Sequence, residues 1–304
     1  MNLEKSRNTL LIVLSFAAIY IIWGSTYLIS AFAIEEVPAF RVCGYRYTIS
    51  GLLILMGFSI VGIKNKPKKV EIINACKAGI IFLGLGTGGA IWALNFLDTG
   101  LTALIIAGEP LLIVFLIWII KKRRPMKQTF IGIFLGMLGM YLLVSQNSLV
   151  SGEEQWIGVL VIFLSMIAWG LGSIFVTDAP LPSSPLLNSG IQMLVGGIIT
   201  FLISICIGEK AMPIGALSDK TLWSLLYLVI FGSIVAFTAF NYLLKNVATE
   251  KVVTNTYINP IIAMMLGYYF RNEIITYQSI VAAVVMISGV FIINSNRLKI
   301  KKTS

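Results

Sequence analysis

The sequence predicts an all-α integral membrane protein: ten transmembrane helices in two inverted five-helix repeats. Three observations predict it. The 304-residue chain is 58% hydrophobic and 12% charged, with a mean hydropathy of +0.91, whereas soluble domains carry about 25% charged residues. Its apolar residues form long blocks and do not alternate, which excludes an outer-membrane barrel. The sequence also matches itself at a nearly constant offset.

The blocks lie at about 10–33, 40–61, 76–96, 100–120, 128–145, 156–177, 186–207, 221–244, 248–270 and 274–294. Each approaches the roughly 20 residues that a helix needs to cross a bilayer core, and backbone in lipid must pair within its own segment. The remaining residues suffice for short connections only, so no sizeable soluble domain is expected. The first block is too long for a signal-peptide core and is read as a retained span.

Orientation follows from the cations. With the N-terminus in the cytoplasm, eighteen Lys and Arg fall on inner segments and four on outer ones: Arg41, Lys210, Lys220 and Arg271. That asymmetry is the positive-inside pattern. It predicts a multi-pass cell-membrane protein with both termini cytoplasmic. The net charge of +10 is thereby explained as topology, and no nucleic-acid partner is expected. The sequence contains no histidine, so no His-based metal site, triad or proton relay is available. Cys43, Cys76 and Cys206 are isolated and read as small core residues. No GxxxxGK[ST] motif is present, which argues against ATP drive. No metal or other cofactor is expected, and the chain is read as a non-enzyme.

The self-match defines two units, 1–150 and 151–304. At an offset of 146, Trp23-Gly24 falls on Trp169-Gly170, Gly51 on Gly197, Gly86 on Gly232 and Asn95 on Asn241. After a four-residue insertion, Pro110 falls on Pro260 and Gly139 on Gly289. Five spans per unit would invert the second copy relative to the first. Such repeats are common in secondary transporters, with the site near the midplane between the halves.

Trp23-Gly24-Ser25-Thr26-Tyr27, Ala107-Gly108-Glu109-Pro110, Asn259-Pro260 and Arg271-Asn272-Glu273 resemble the drug/metabolite transporter superfamily, EamA branch. The resemblance covers nearly the whole chain. It implies transport of a small metabolite or amino acid without ATP, mostly export. The family usually places a Glu just after the fourth span of each half. The second half keeps it as Glu273, whereas the first has Arg123.

Several residues stand out within the spans. Glu109 lies in the middle third of the fourth block, before Pro110. A carboxylate there costs several kcal/mol unless it is paired, protonated or facing water. It is a candidate ligand for a substrate amine, a candidate proton-coupling group, or a structural helix–helix bond. Arg46 enters the second block from its outer end, either snorkelling outward or pairing with Glu109. Trp23 and Tyr27 share a helical stripe with Tyr20, and Trp169 shares a face with Ser165 and Ser173. These aromatics line a cavity or pack between helices. Asn259, the repeat mate of Glu109, shares a face with Asn255 and is the stronger amide candidate. Asn95 and Asn241 read better as helix–helix glue. Pro110 and Pro260 are hinge candidates.

The resulting expectation is a secondary transporter for a small organic solute such as an amino acid, metabolite or drug-like cation. It is expected to be an exporter working by alternating access around a midplane cavity, as a monomer or homodimer in the lipid bilayer, with proton coupling a candidate feature. The alternatives are a non-transporting scaffold or sensor and a channel-like facilitator.

Overall fold

A computed structural model describes residues 2–62, 66–122, 127–146, 152–210, 213–247, 252 and 255–295. Among these the chain is helical, without strands. Helix α1 spans Asn2–Ala33 and α2 Ala39–Val61. Helix α3 spans Lys69–Ala93 and α4 Thr99–Lys121. Helix α5 spans Lys127–Val144, α6 Glu153–Asp178 and α7 Pro185–Cys206. Helix α8 spans Asp219–Asn246, α9 Asn255–Arg271 and α10 Tyr277–Ser295. Six of these are long and apolar enough to cross a membrane: Thr9–Ala33 of α1, and α3, α4, α6, α7 and α8. Helix α3 starts seven residues before the apolar block that predicted it, because the charged Lys69 and Glu71 occupy its first turn.

Local chemistry sets the helix ends. Ser184 accepts from Leu187 N at 3.3 Å and precedes Pro185, whose missing N–H costs nothing in a first turn. Ser218 accepts from Thr221 N at 3.3 Å, and Asp219 follows it at the positive end of α8. Left-handed residues stop four helices: Gly62 after α2 (φ 82°), Lys122 after α4 (φ 50°), Gly208 near the end of α7 (φ 75°) and Asn272 after α9 (φ 55°). Gly62 maps on Gly208 at the offset of 146, and Lys122 on Asn272 at 150.

Helices α2 and α7 pack along each other, as do α5 and α10, and α1 lies on α9. The first two contacts depend on glycine because backbone meets backbone. A Cβ on Gly51 would lie 2.5 Å from Leu194 N, and one on Gly197 2.5 Å from Thr48 N. A Cβ on Gly139 would lie 3.0 Å from Ala282 O, and one on Gly289 2.7 Å from Gly132 O. The contacts are reciprocal: the offset that carries Gly51 to Gly197 carries Thr48 to Leu194, and the one that carries Gly139 to Gly289 carries Gly132 to Ala282. Such close approach is how helices associate where lipid removes the hydrophobic drive.

Two helices leave α geometry. Residues Ile80–Thr87 of α3 and Leu228–Val235 of α8 are π-helical, eight residues in each. Wider turns displace side chains and carbonyls from the regular ladder, and such segments frequently mark functional sites. Helix α4 is interrupted at Ala107–Gly108, between helical pieces Thr99–Ile106 and Glu109–Lys121. Pro110 supplies no N–H to the preceding turn. Pro260, by contrast, lies inside α9 and the helix continues through it. The repeat-matched prolines therefore differ: one sits at a break, the other does not.

The loops gather at two ends. At the acidic end, Arg271 Nη1 and Lys220 Nζ both reach Glu35, at 2.8 and 2.7 Å. Glu36 accepts from Ser218 N at 2.9 Å. At the basic end, Lys121 meets Asp178 at 2.8 Å, and Asn74 Nδ2 donates to Pro180 O at 3.0 Å.

Candidate functional site

The π segment of α8 organises the centre of the bundle. Its Gly232 carbonyl accepts from Trp23 Nε1 at 3.2 Å, and its Val229 carbonyl from Ser50 Oγ at 3.1 Å. Ser233 Oγ accepts from Arg46 Nε at 2.7 Å and itself donates to Leu228 O, five residues back, at 2.9 Å. One short distorted stretch thus fixes side chains from α1 and α2.

Beside it lies a cavity of about 1020 Å³, its mouth included, lined by α1, α2, α3, α4, α6, α8 and α9. Its aromatic wall combines edge-to-face and tilted ring pairs. Trp23 and Trp169 stand with ring centroids 6.1 Å apart at 82°, and Phe240 sits 5.1 Å from Trp23 and 5.8 Å from Trp169. Phe82 backs Trp169 at 4.7 Å. Edge-to-face contacts suit the aromatic quadrupole and hold rings rigidly.

The polar groups are few. Arg46 is 4% exposed, and its Cζ sits 4.9 Å from the Tyr47 ring centroid, a cation–π distance. Glu109 is 6% exposed and opens the second piece of α4, where the positive helix end partly offsets its charge. Its Oε1 is buried and has no hydrogen-bond partner among the described residues. Asn259 Nδ2 donates to Tyr20 O at 2.9 Å and Asn255 O at 3.1 Å, and its Oδ1 accepts from Asn255 Nδ2 at 3.2 Å; this amide orientation is assigned from its partners.

Six residues singled out from the sequence meet at this cavity: Trp23, Tyr27, Arg46, Glu109, Trp169 and Asn259. Asn95 and Asn241 do not line it. Asn95 is exposed and donates to Trp92 O at 2.9 Å. Asn241 is buried between helices, donating to Ser189 Oγ at 2.8 Å and accepting from Asn188 Nδ2 at 3.3 Å. Its amide has found protein partners and acts as glue. The pairing of Arg46 with Glu109 does not form either. No ion pair among the described residues joins them, because Arg46 Nε is committed to Ser233 on α8 while Glu109 stands on α4. Both charges face one cavity, separately.

The sequence reading missed Tyr47, Thr87, Phe237 and Phe240 as lining residues. Spacing could have flagged Phe240, which stands four residues after Ala236, itself the repeat mate of the cavity residue Ala90.

Comparison with known proteins agrees with this architecture. The EamA-like transporter family matches twice, over residues 10–145 and 156–295. An uncharacterized inner membrane transporter, YedA, of Escherichia coli (strain K12) is 30% identical over 91% of this chain and 88% of its own. An uncharacterized transporter, YoaV, of Bacillus subtilis (strain 168) is 20% identical over 92% of this chain and 95% of its own. One solved crystal structure shares the fold with a TM-score of 0.68 at 17% identity, covering 95% of this chain and 98% of that one. The chain belongs to the EamA-like transporter family and is a multi-pass membrane transporter, not an enzyme.

Proposed function

We propose that this transporter is a secondary carrier for a small organic solute with an apolar body and a charged head, bound in the central cavity and exported by alternating access. The carrying observation is the cavity itself. It combines a rigid aromatic wall with one carboxylate and one guanidinium that do not neutralise each other. A buried carboxylate oxygen left without a donor suits a ligand that brings a cationic group, and the aromatic faces favour the same charge. An anionic group on the same solute would find Arg46, so an amino acid fits at both poles.

In this reading the chain has ten spans in two inverted units, 1–150 and 151–304, with the basic end and both termini in the cytoplasm. Helices α2, α5, α9 and α10 complete the six clearly apolar spans, and α2 and α5 pack along α7 and α10. Reciprocal glycine contacts are what a two-fold relation between halves produces, since residue i then meets j and j meets i. The two equal π segments and the two successive family matches support the same relation.

Proteoliposome flux of radiolabelled amino acids and cationic drugs tests the proposal. Saturable uptake that falls in Glu109→Gln is the expected result. Absence of saturable flux across the panel, or conductance at channel rates, would reject the carrier reading.

A further inference from the structure

Among the described residues the two ends of the bundle are not equally locked. After α9, Asn272 turns left-handed and Glu273 N bonds back to Gly267 O at 3.2 Å, six residues earlier, which ends the helix. This turn folds the Glu273 side chain onto the start of α4. Its Oε1 accepts from Thr99 N at 3.0 Å and its Oε2 from Gly100 N at 3.1 Å, while Thr99 Oγ1 lies 2.7 Å from both oxygens. The carboxylate is 8% exposed and has Arg271 Nε at 3.7 Å. The approach is so close that a Cβ on Gly267 would lie 2.2 Å from Oε2. Charge-assisted bonds to the positive end of a helix are among the stronger polar contacts available.

The helix held in this way is the short piece Thr99–Ile106. It ends at the break before Glu109, and Ala103 and Ile106 face the cavity. The same kind of turn after α7 places Glu209 on Phe40 N and Arg41 N at the start of α2, both at 3.2 Å. In the sequence the repeat-related positions are Ile63 and Arg123, neither of which can accept a hydrogen bond through its side chain; both lie outside the described residues. The Lys121–Asp178 pair there is 28% and 68% exposed, and an exposed pair contributes little.

We propose that Thr99–Ile106 is a gate hinged at Ala107–Gly108, and that Glu273 is its latch, so that the cavity is entered by preference from the basic end. The break lies next to Glu109, which couples gate position to the carboxylate that the solute would engage. The proposal rests on the carrier reading above and gives export a structural cause: among the described residues, no carboxylate at the basic end joins one helix to the start of another.

The test is labelling of Ile106→Cys by a membrane-impermeant maleimide, in the full chain with its three native cysteines changed to alanine. Labelling of Ala216→Cys defines the acidic-end face. Glu273→Ala should raise the acidic-face labelling rate about tenfold or more, as loss of a charge-assisted hydrogen-bond set predicts. Glu273→Gln, which keeps the shape and one acceptor oxygen, should give a smaller rise in the same direction. Parental labelling rates in folded Glu273→Ala overturn the latch; should Glu273→Ala fail to fold, parental rates in Glu273→Gln overturn it. The readout needs no substrate, so failed flux would reject the carrier alone and unchanged labelling the latch alone.

Discussion

Replacing Glu109 by glutamine should stabilise the protein while removing transport. The residue is 6% exposed, and its Oε1 meets no donor among the described residues. An unsatisfied buried acceptor costs about 1–3 kcal/mol, more when charged. The helix end beneath it returns about 0.3–1 kcal/mol, up to about 2 in partly buried geometries. A net strain of up to about 2.7 kcal/mol remains by these figures, and Glu109→Gln removes the part that its charge contributes without changing shape. For soluble domains of 150–250 residues, each kcal/mol moves the thermal midpoint by about 2–4 °C, so the apparent midpoint in detergent should rise by a few degrees. Arg46→Gln should do the opposite, because it breaks the bond to Ser233 and the contact with Tyr47. A double-mutant cycle should be additive to within about 0.5 kcal/mol. Had the two residues formed a buried ion pair, each single change would cost about 3–5 kcal/mol. A midpoint lowered in Glu109→Gln, or a double mutant more stable than the single changes predict, would refute the reasoning, since either result requires a partner that holds the carboxylate.

Gly197→Ala should cost about 1–3 kcal/mol by forcing α2 and α7 apart, read as a lower thermal midpoint; an unchanged midpoint would mean that the helices separate freely. Cysteines at 152–155 should react with an impermeant thiol reagent added to intact cells, and cysteines at 66–69 should not; the reverse pattern would invert the orientation. Transported solute should protect Ser165→Cys, on the cavity wall beside Trp169, and leave Ala216→Cys unprotected. At the acidic end, the hydroxyl and backbone N–H of Ser218 hold the Glu36 carboxyl below its ordinary range. A depressed value adds stability above the ordinary carboxylate range, and that stability is lost as pH falls through the depressed value. Hydrogen exchange at Ser218 N should therefore quicken on acidification, and an exchange rate that stays flat would detach Glu36 from the loop.

Much of the lining of the candidate site was legible because charge and amide are rare in apolar spans. Glu109, Arg46 and Asn259 stood out against their surroundings, and a polar group in lipid must face protein or a cavity. Trp23 and Trp169 stood out through their mutual match. Asn95 and Asn241 carried the same signal without lining the cavity, since a helix-end amide is satisfied equally well by solvent or by a neighbouring helix. Tyr47 and Phe237 were silent because lipid-facing and cavity-facing aromatics look alike in sequence. Soluble helices reveal their inner face through an apolar stripe; a span surrounded by hydrocarbon is apolar all round, so its rotation is not written in its periodicity.

From sequence alone the apolar helices and a set of self-matched positions were legible. Lipid demands unbroken apolar helices, and the repeat offsets foreshadow the contacts between Gly51 and Leu194 and between Gly139 and Ala282. The tertiary structure alone decided which way each side chain faces and whom it meets. Arg46 and Glu109 enter from the same end yet remain apart, because the π turn of α8 offers Ser233 to the guanidinium first. Glu273 is one exposed-looking residue beyond a helix until the left-handed turn at Asn272 folds it, 174 residues away in sequence, onto the amide of Thr99. Such contacts depend on the relative placement of whole helices, a property that no local pattern of residues encodes.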